Sequence, residues 1–240
     1  MREVQNILAS IKDARSHDGP KREILLTAPH AAEKQNPIDD PCTKRVTQQL
    51  SAHISRIGIP CNKFIASRTR THADQNRLAG LVCACDLYPK LQKYLHTKGN
   101  SLGDVLHVDI HSFQPEYGHL PNKWGKGINI LYLLGDKEQR GFAKRMAASI
   151  NMTLAHTIPY FPRAVVVEHP KLPTTLAHDD SNAMLEWSRH YGGLGILLEL
   201  PTRRVGNQWE LTCPETKLYD AIVGALCTEL RQRNILTADK

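Results

Sequence analysis

The 240-residue sequence lacks the features that mark membrane, secreted and repeat proteins. No apolar run approaches the roughly 20 residues that a membrane-spanning helix requires. Residues 1–10 are polar and mixed, unlike a signal peptide. We therefore expect a cytoplasmic protein without a membrane partner. Internal repeats, low-complexity segments and a convincing linker are also absent, which favours one domain covering residues 1–240.

The six cysteines include no C-x-x-C pair. The two that lie closest together, Cys83 and Cys85, fall in a segment that we predict to be helical. This spacing disfavours a zinc knuckle and favours reduced cysteines that serve in packing.

The chain is basic, but its basic residues do not form long blocks. Lysine and arginine outnumber aspartate and glutamate by 31 to 24, for a net charge of +7. Such a balance fits an acidic substrate, a nucleic acid or simply a basic surface. Because no long Lys/Arg block occurs, nucleic acid is disfavoured as a partner, while the oligomeric state stays open. A hydrophobic content of 41% excludes a wholly disordered chain.

Strand-like and helix-like segments alternate along the chain. Apolar runs typical of buried strands occur at 22–28, 61–66, 104–111, 128–134, 164–167 and 196–200. Helical patterns occur at 2–14, 43–57, 78–95, 137–150, 180–190 and 216–233. The alternation predicts an α/β fold with a mixed, mostly parallel central sheet covered on both faces. Residues 155–180, rich in proline, histidine and aromatics, are predicted to form a substrate loop or lid within that domain.

Histidine and glutamate residues follow or close two of these strands. His30 and Glu33 come just after the first apolar run, and His111 closes the run at 104–111. Open α/β folds place their sites at the carboxyl edge of the sheet, and hydrolytic zinc takes three nitrogen or oxygen ligands. We therefore predict that His30, Glu33 and His111 bind one Zn²⁺ ion. The alternative for Glu33 is a solvent-facing loop residue.

Two further carboxylates are expected beside the metal. Asp109 precedes His111 by two residues, so both side chains point to one face of a strand. Asp109 is expected to accept a hydrogen bond from a ligand imidazole, in the first instance that of His30. His107 is predicted to face the other side of the sheet. Glu199 ends an otherwise apolar strand, where an unpaired carboxylate is costly, and this suits a general base with a raised pKa.

Residues 68–77 are rich in groups that bind anions. Asn76 and Arg77 can hold a substrate carboxylate, the arginine as a bidentate fork. The same pair can also cap a helix that begins near residue 78. Arg70 can polarise the scissile carbonyl and stabilise the oxyanion, with Arg68 as the competing candidate.

Four motifs in this order resemble the N-formylglutamate amidohydrolase family, within the zinc carboxypeptidase and aspartoacylase-like superfamily. They are Thr27-Ala28-Pro29-His30, Arg70-Thr71-His72-Ala73-Asp74-Gln75-Asn76-Arg77, Asp109-Ile110-His111-Ser112 and Glu199-Leu200. The superfamily pattern is H-x-x-E, D-x-N-R, D-x-H and a catalytic glutamate, and the resemblance spans about residues 24–200. One departure is Ala32, where the amidohydrolase pattern favours glycine.

The resemblance implies a three-layer α/β/α fold (phosphorylase/hydrolase-like) with one zinc ion. It implies hydrolysis of an amide bond in a small anionic substrate that carries a free carboxylate, such as an N-acyl or N-formyl amino acid. Glu199 would act as base, and Asp74 would join Asp109 in orienting groups of the site. The alternatives are a metallocarboxypeptidase, a poly-γ-glutamate or cell-wall peptide hydrolase, and a non-catalytic relative that binds an anion or nucleic acid.

Overall fold

The computed structural model describes residues 23–31, 40, 42–67, 87–115, 125–168 and 183–238. Seven strands occur in these residues: β1 (Glu23–Ala28), β2 (Cys61–Ile65), β3 (Val105–Phe113), β4 (Asn129–Tyr132), β5 (Val165–Glu168), β6 (Leu194–Val205) and β7 (Gln208–Leu211). Five helices accompany them in the same residues: α1 (Thr43–Arg56), α2 (Tyr88–Thr97), α3 (Lys137–Thr157), α4 (Ala183–His190) and α5 (Glu215–Ala238).

The strands form one mixed, mostly parallel sheet, as the sequence predicts. Its order is β2-β1-β3-β6-β4-β5, and β7 pairs with β6 outside this path. The first four strands in that order are parallel to one another, and β4 pairs antiparallel with β6 and parallel with β5. Parallel neighbours require crossover helices, which explains the alternation of strands and helices along the chain.

Helices cover both faces of the sheet. On one face, α1 packs on β1 and β3, α3 packs on β4, β5 and β6, and α5 packs against both helices. Leu50, Phe142 and Ile222 belong to the core on this face. On the other face, α2 and α4 pack through Leu91 and Met184. Apolar side chains on both faces of the strands make this three-layer α/β/α arrangement favourable, because each face buries its own core.

The crossovers create a switch point between β1 and β3. The connection from β1 to β2 carries α1 on one face, whereas the connection from β2 to β3 carries α2 on the other face. From β1 the chain continues to β2 on one side, whereas β4, which follows β3 along the chain, lies on the other side. The chain thus leaves β1 and β3 in opposite directions. Open α/β folds bind ligands in the crevice at such a point, which here lies at the carboxyl ends of β1 and β3.

Strand β6 is longer than predicted and continues into a hairpin. It begins at Leu194, two residues before the predicted strand 196–200, and it runs to Val205 before β7. Gly195 lies inside the strand. A Cβ at this position would lie 2.9 Å from the Leu185 side chain, which explains why the residue there is glycine. Strand β7 was not predicted, since Gln208–Leu211 has only 4 residues, too few for a clear periodic pattern.

Two helices differ from their predicted bounds. Helix α2 begins at Tyr88 with Pro89 in its first turn, where the missing N–H is not needed for an intrahelical bond. Helix α3 runs to Thr157, so the first part of the predicted loop 155–180 is helical, and β5 lies within that segment as predicted. The predicted helix 2–14, residues 78–86 of the predicted helix 78–95 and residues 169–182 lie outside the described residues.

Four cysteines belong to the described part of the chain. Cys213 and Cys227 are buried and Cys42 and Cys61 are half-buried, and all four are free thiols. Burial raises the pKa of each thiol, as expected for cysteines that serve in packing. Among the helices described, none has the length and apolar character needed to cross a membrane.

Candidate metal centre

The crevice at the switch point contains a cluster of two histidines and one aspartate. His30 lies two residues after β1, His111 lies near the carboxyl end of β3, and Asp40 lies shortly before α1. The Asp40 Oδ2 atom is 3.3 Å from His30 Nδ1 and 2.7 Å from His111 Nδ1. The potential ligand atoms of the three residues all lie within 4.8 Å of one another. Both imidazoles are buried, at 2% and 3% exposure.

The spacing of these atoms fits a small divalent cation. Ligand atoms about 2.0–2.1 Å from a tetrahedral zinc are roughly 3.3 Å apart. The His30–Asp40 separation of 3.3 Å already has this value, and the His111–Asp40 separation of 2.7 Å would need to open by about 0.6 Å. The rings of His30 and His111 meet edge to face with centroids 4.8 Å apart, so both Nδ1 atoms can converge on one point.

Two hydrogen bonds hold the backbone of Asp40 in place. Its amide donates to the carbonyl of His30 over 3.1 Å, and its carbonyl accepts from the Thr43 hydroxyl over 2.8 Å. Cys42, between Asp40 and α1, has the left-handed φ of 71° that turns the chain into the helix. Asp40 was not among the residues predicted for the site. A carboxylate following His30 by ten residues was the only available signal.

Asp109 connects the cluster to the interior of the sheet. Its Oδ2 accepts from His111 Nε2 over 3.0 Å, and its Oδ1 accepts from the Thr27 hydroxyl over 2.5 Å. We expected His30 as the imidazole partner, but the structure places His111 there, because two residues two apart on β3 share one face. The same rule corrects His107, which lies on the face of Asp109 and not on the opposite one. Its Nε2 is 2.8 Å from Thr27 Oγ1.

The charges of these buried groups support one another. Burial alone would raise the pKa of Asp109, but His111, with hydrogen bonds from it and from Thr27, holds that pKa below its usual value. Burial likewise opposes protonation of His111, yet Asp109 and Asp40 raise its pKa well above the usual value. The pKa of Asp40 is lowered by His111 and His30 in spite of burial. The two carboxylates thus favour the protonated form of His111, and His111 in turn favours the ionised form of both carboxylates.

Glu199 lies next to this cluster in the sheet. It pairs in register with His111 on β3 and with Asn129 on β4, so it is in the middle of β6 and not at a strand end as predicted. Burial raises the pKa of Glu199 to about 7, with smaller opposing effects from His111 and His30. A carboxylate with this pKa can both accept and return a proton at neutral pH.

The structure thus brings together His30, His111, Asp109 and Glu199 of the predicted site, and it adds Asp40 to them. The remaining predicted site residues lie outside the described residues: Glu33, Arg70, Asp74, Asn76 and Arg77. Their roles stay predictions.

The chain has an α/β fold with a candidate metal centre at the switch point of its sheet, and solved structures share this fold. No family model and no curated protein matches the sequence. An N-formylglutamate amidohydrolase from Ralstonia eutropha matches with a TM-score of 0.50 and 10% identity, over 90% of this chain and 96% of that chain. The resemblance noted in the sequence is thereby confirmed at the level of the fold.

Two further solved structures share the fold. A metallo-carboxypeptidase from Burkholderia cenocepacia matches with a TM-score of 0.52 and 13% identity, over 90% of this chain. The chain spans only 58% of that longer protein. A gene product from Agrobacterium tumefaciens matches with a TM-score of 0.50 and 17% identity, over 92% of this chain and 93% of that chain.

Proposed function

We propose that the protein is a zinc-dependent amidohydrolase that cleaves an amide bond in a carboxylate-bearing substrate such as an N-acyl amino acid. The observation that carries the proposal is the convergence of His30, His111 and Asp40 beside Glu199, whose pKa is near 7. A base of this pKa next to a set of metal-binding side chains, in the crevice where this fold binds ligands, suits hydrolysis at neutral pH.

His30, Asp40 and His111 would hold the metal, with Glu33 as a further ligand predicted from the sequence. Two imidazoles and carboxylate oxygens are a donor set that zinc favours in hydrolytic sites. When bound, zinc would polarise the substrate carbonyl and make water a nucleophile at neutral pH.

The side chains of the protein would do the rest of the chemistry. Glu199 would accept the proton of the attacking water and return it to the departing amine nitrogen, which needs a proton to leave as a neutral group. Arg70 would donate hydrogen bonds to the oxygen on which negative charge develops. Asn76 and Arg77 would hold the substrate carboxylate and thereby align the scissile bond with Glu199.

The choice of substrate rests on the motif resemblance and on the fold. A predicted Asn/Arg pair for a carboxylate favours a small acyl amino acid, and the solved N-formylglutamate amidohydrolase shares the fold. The metallo-carboxypeptidase also shares it, so peptides belong in the same assay. Preferred cleavage of a C-terminal peptide bond or of a γ-glutamyl or cell-wall peptide would indicate the corresponding alternative function.

The test combines metal content with hydrolysis. Wild-type protein purified without chelator should contain about one zinc per chain and should hydrolyse N-formylglutamate or a related N-acyl amino acid. Glu199→Gln should keep the metal and lose roughly 10²- to 10⁴-fold in kcat, whereas His111→Ala should lose both. Glu138→Gln is the matched control and should behave as wild type, because Glu138 is exposed in the first turn of α3. That turn follows β4, which runs antiparallel to β6, and so lies at the opposite edge of the sheet.

Two results would contradict the proposal. One is a wild-type protein that takes up no stoichiometric metal when zinc is supplied. The other is hydrolysis that survives in both Glu199→Gln and His111→Ala. Salt-sensitive nucleic-acid binding without any hydrolysis would instead support a non-catalytic function.

A further inference from the structure

A chain of four buried side chains runs from the interior of the sheet to the candidate metal centre. It begins at His107 on β3, passes through Thr27 on the neighbouring strand β1, returns to β3 at Asp109, and ends at His111. Thr27 and Asp109 are register partners in the parallel pair β1–β3, which brings their side chains together. His107, Thr27 and Asp109 are each fully buried, so solvent cannot replace a missing bond in this chain.

The donors and acceptors of these four side chains allow only one direction of hydrogen bonding along them. Both oxygens of Asp109 accept, Oδ1 from Thr27 and Oδ2 from His111 Nε2. The single hydroxyl proton of Thr27 is therefore used toward Asp109, and Thr27 Oγ1 can only accept from its other neighbour. Since that neighbour is His107 Nε2 at 2.8 Å, this nitrogen must carry the proton.

The other nitrogen of His107 agrees with this tautomer. Within the described part of the chain, His107 Nδ1 is buried and has no hydrogen-bond partner. An unpaired acceptor is less costly in a protein interior than an unpaired N–H donor. The ring is held in place by Trp187, which meets it edge to face at 6.4 Å between centroids. On the other side, Gly195 leaves room, because a Cβ there would be 3.4 Å from Nδ1.

We propose that Thr27 and His107 are positioning residues for the metal centre, which fix Asp109 and through it the orientation of His111. With both carboxylate oxygens engaged, Asp109 cannot rotate away from His111 Nε2. The Nδ1 atom of His111 is then directed toward Asp40 and the metal position. The role of these two residues rests on the proposed zinc function, and neither of them contacts the metal position itself.

The closing experiment compares zinc affinity in four proteins by competition with a chromophoric chelator. Thr27→Val keeps the shape of the side chain but removes the hydroxyl, and it should weaken zinc binding roughly 10- to 100-fold. Thr27→Ser restores the hydroxyl and should bind within about threefold of wild type. Thr47→Val is the matched control: Thr47 is equally buried, but its hydroxyl bonds to the Thr43 carbonyl in α1. Its zinc affinity should be unchanged.

A second measurement does not depend on zinc. Long-range ¹H–¹⁵N spectra of the metal-free protein distinguish the two neutral imidazole tautomers, and His107 should show a proton on Nε2. A proton on Nδ1 instead would overturn the proposed direction of the hydrogen bond between His107 and Thr27. Wild-type affinity in Thr27→Val would overturn its positioning role alone, whereas absence of zinc binding in the wild type would overturn the proposed function and that role together.

Discussion

Replacement of His107 by glutamine should reduce the loss of unfolding free energy that wild type shows as the pH falls below 6.5. His107 is fully buried, and burial lowers its pKa from 6.5 to about 4, although Asp109 opposes this. The unfolded chain therefore takes up a proton at His107 below pH 6.5, whereas the folded protein does so only near pH 4. Stability from this residue is complete above pH 6.5 and is lost as the pH falls through this window.

The magnitude follows from the same two values. A shift of one pKa unit corresponds to about 1.4 kcal/mol, so the loss is about 2 kcal/mol between pH 7 and pH 5 and about 3 kcal/mol in the limit below pH 4. His107→Gln offers an N–H to Thr27 but does not titrate. Relative to its own value at pH 7, this variant should retain about 2 kcal/mol more stability than wild type at pH 5.

Urea unfolding of the metal-free proteins at several pH values between 7 and 5 provides the assay. The other titrating groups contribute to both proteins and cancel in the difference, provided that both unfold in two states. His96→Gln, which removes an exposed imidazole from α2, is the control for the loss of a histidine as such. If the curve of His107→Gln is parallel to that of wild type, a neutral buried His107 is refuted.

Three other predictions address a proposed metal ligand, a glycine in a loop and a glycine in a helix. Asp40→Asn should weaken zinc binding at least about tenfold. Chelator competition measures the affinity, with Glu33→Gln compared in the same assay. A loss of affinity confined to Glu33→Gln would exclude Asp40 as a ligand. Gly127→Ala should destabilise the protein by about 2 kcal/mol or more, because its Cβ would lie 2.3 Å from the Pro162 carbonyl oxygen. Gly224→Ala in α5, where a Cβ meets no described atom within 4 Å, should stabilise it by up to about 1 kcal/mol in the same urea titration.

The sequence predicts the fold well where periodicity and composition agree. Continuous apolar runs such as 22–28 and 104–111 indicate strands whose two faces are both buried. Such strands are typical of parallel sheets covered by helices on both sides. His30 and His111 could be placed together on the same grounds, since the carboxyl ends of parallel strands share one edge. The sequence does not contain the order of the strands, and therefore the pairing of Glu199 with His111 could not be predicted.

The other residues of the site depend on contacts that sequence spacing does not reveal. Asp40 reaches the histidines because the chain returns from a loop to begin α1, and loops carry no periodicity from which such a return could be inferred. Thr27 is an ordinary residue in an apolar run until the register between β1 and β3 sets it beside Asp109. His107 is a different case: our prediction for its face was wrong, although the two-residue alternation of strands already places it on the face of Asp109.

The position of Glu199 inside β6 has a consequence for how the site can move. Its backbone lies between β3 and β4, and the strand continues for six residues beyond it. Opening such a position requires separation of central strands, so its amide hydrogen should exchange with solvent only at rates close to those of global unfolding. Glu199, the proposed base, is thus part of the rigid frame of the protein, and if it acts as the base, any closure around a substrate has to bring other groups toward it.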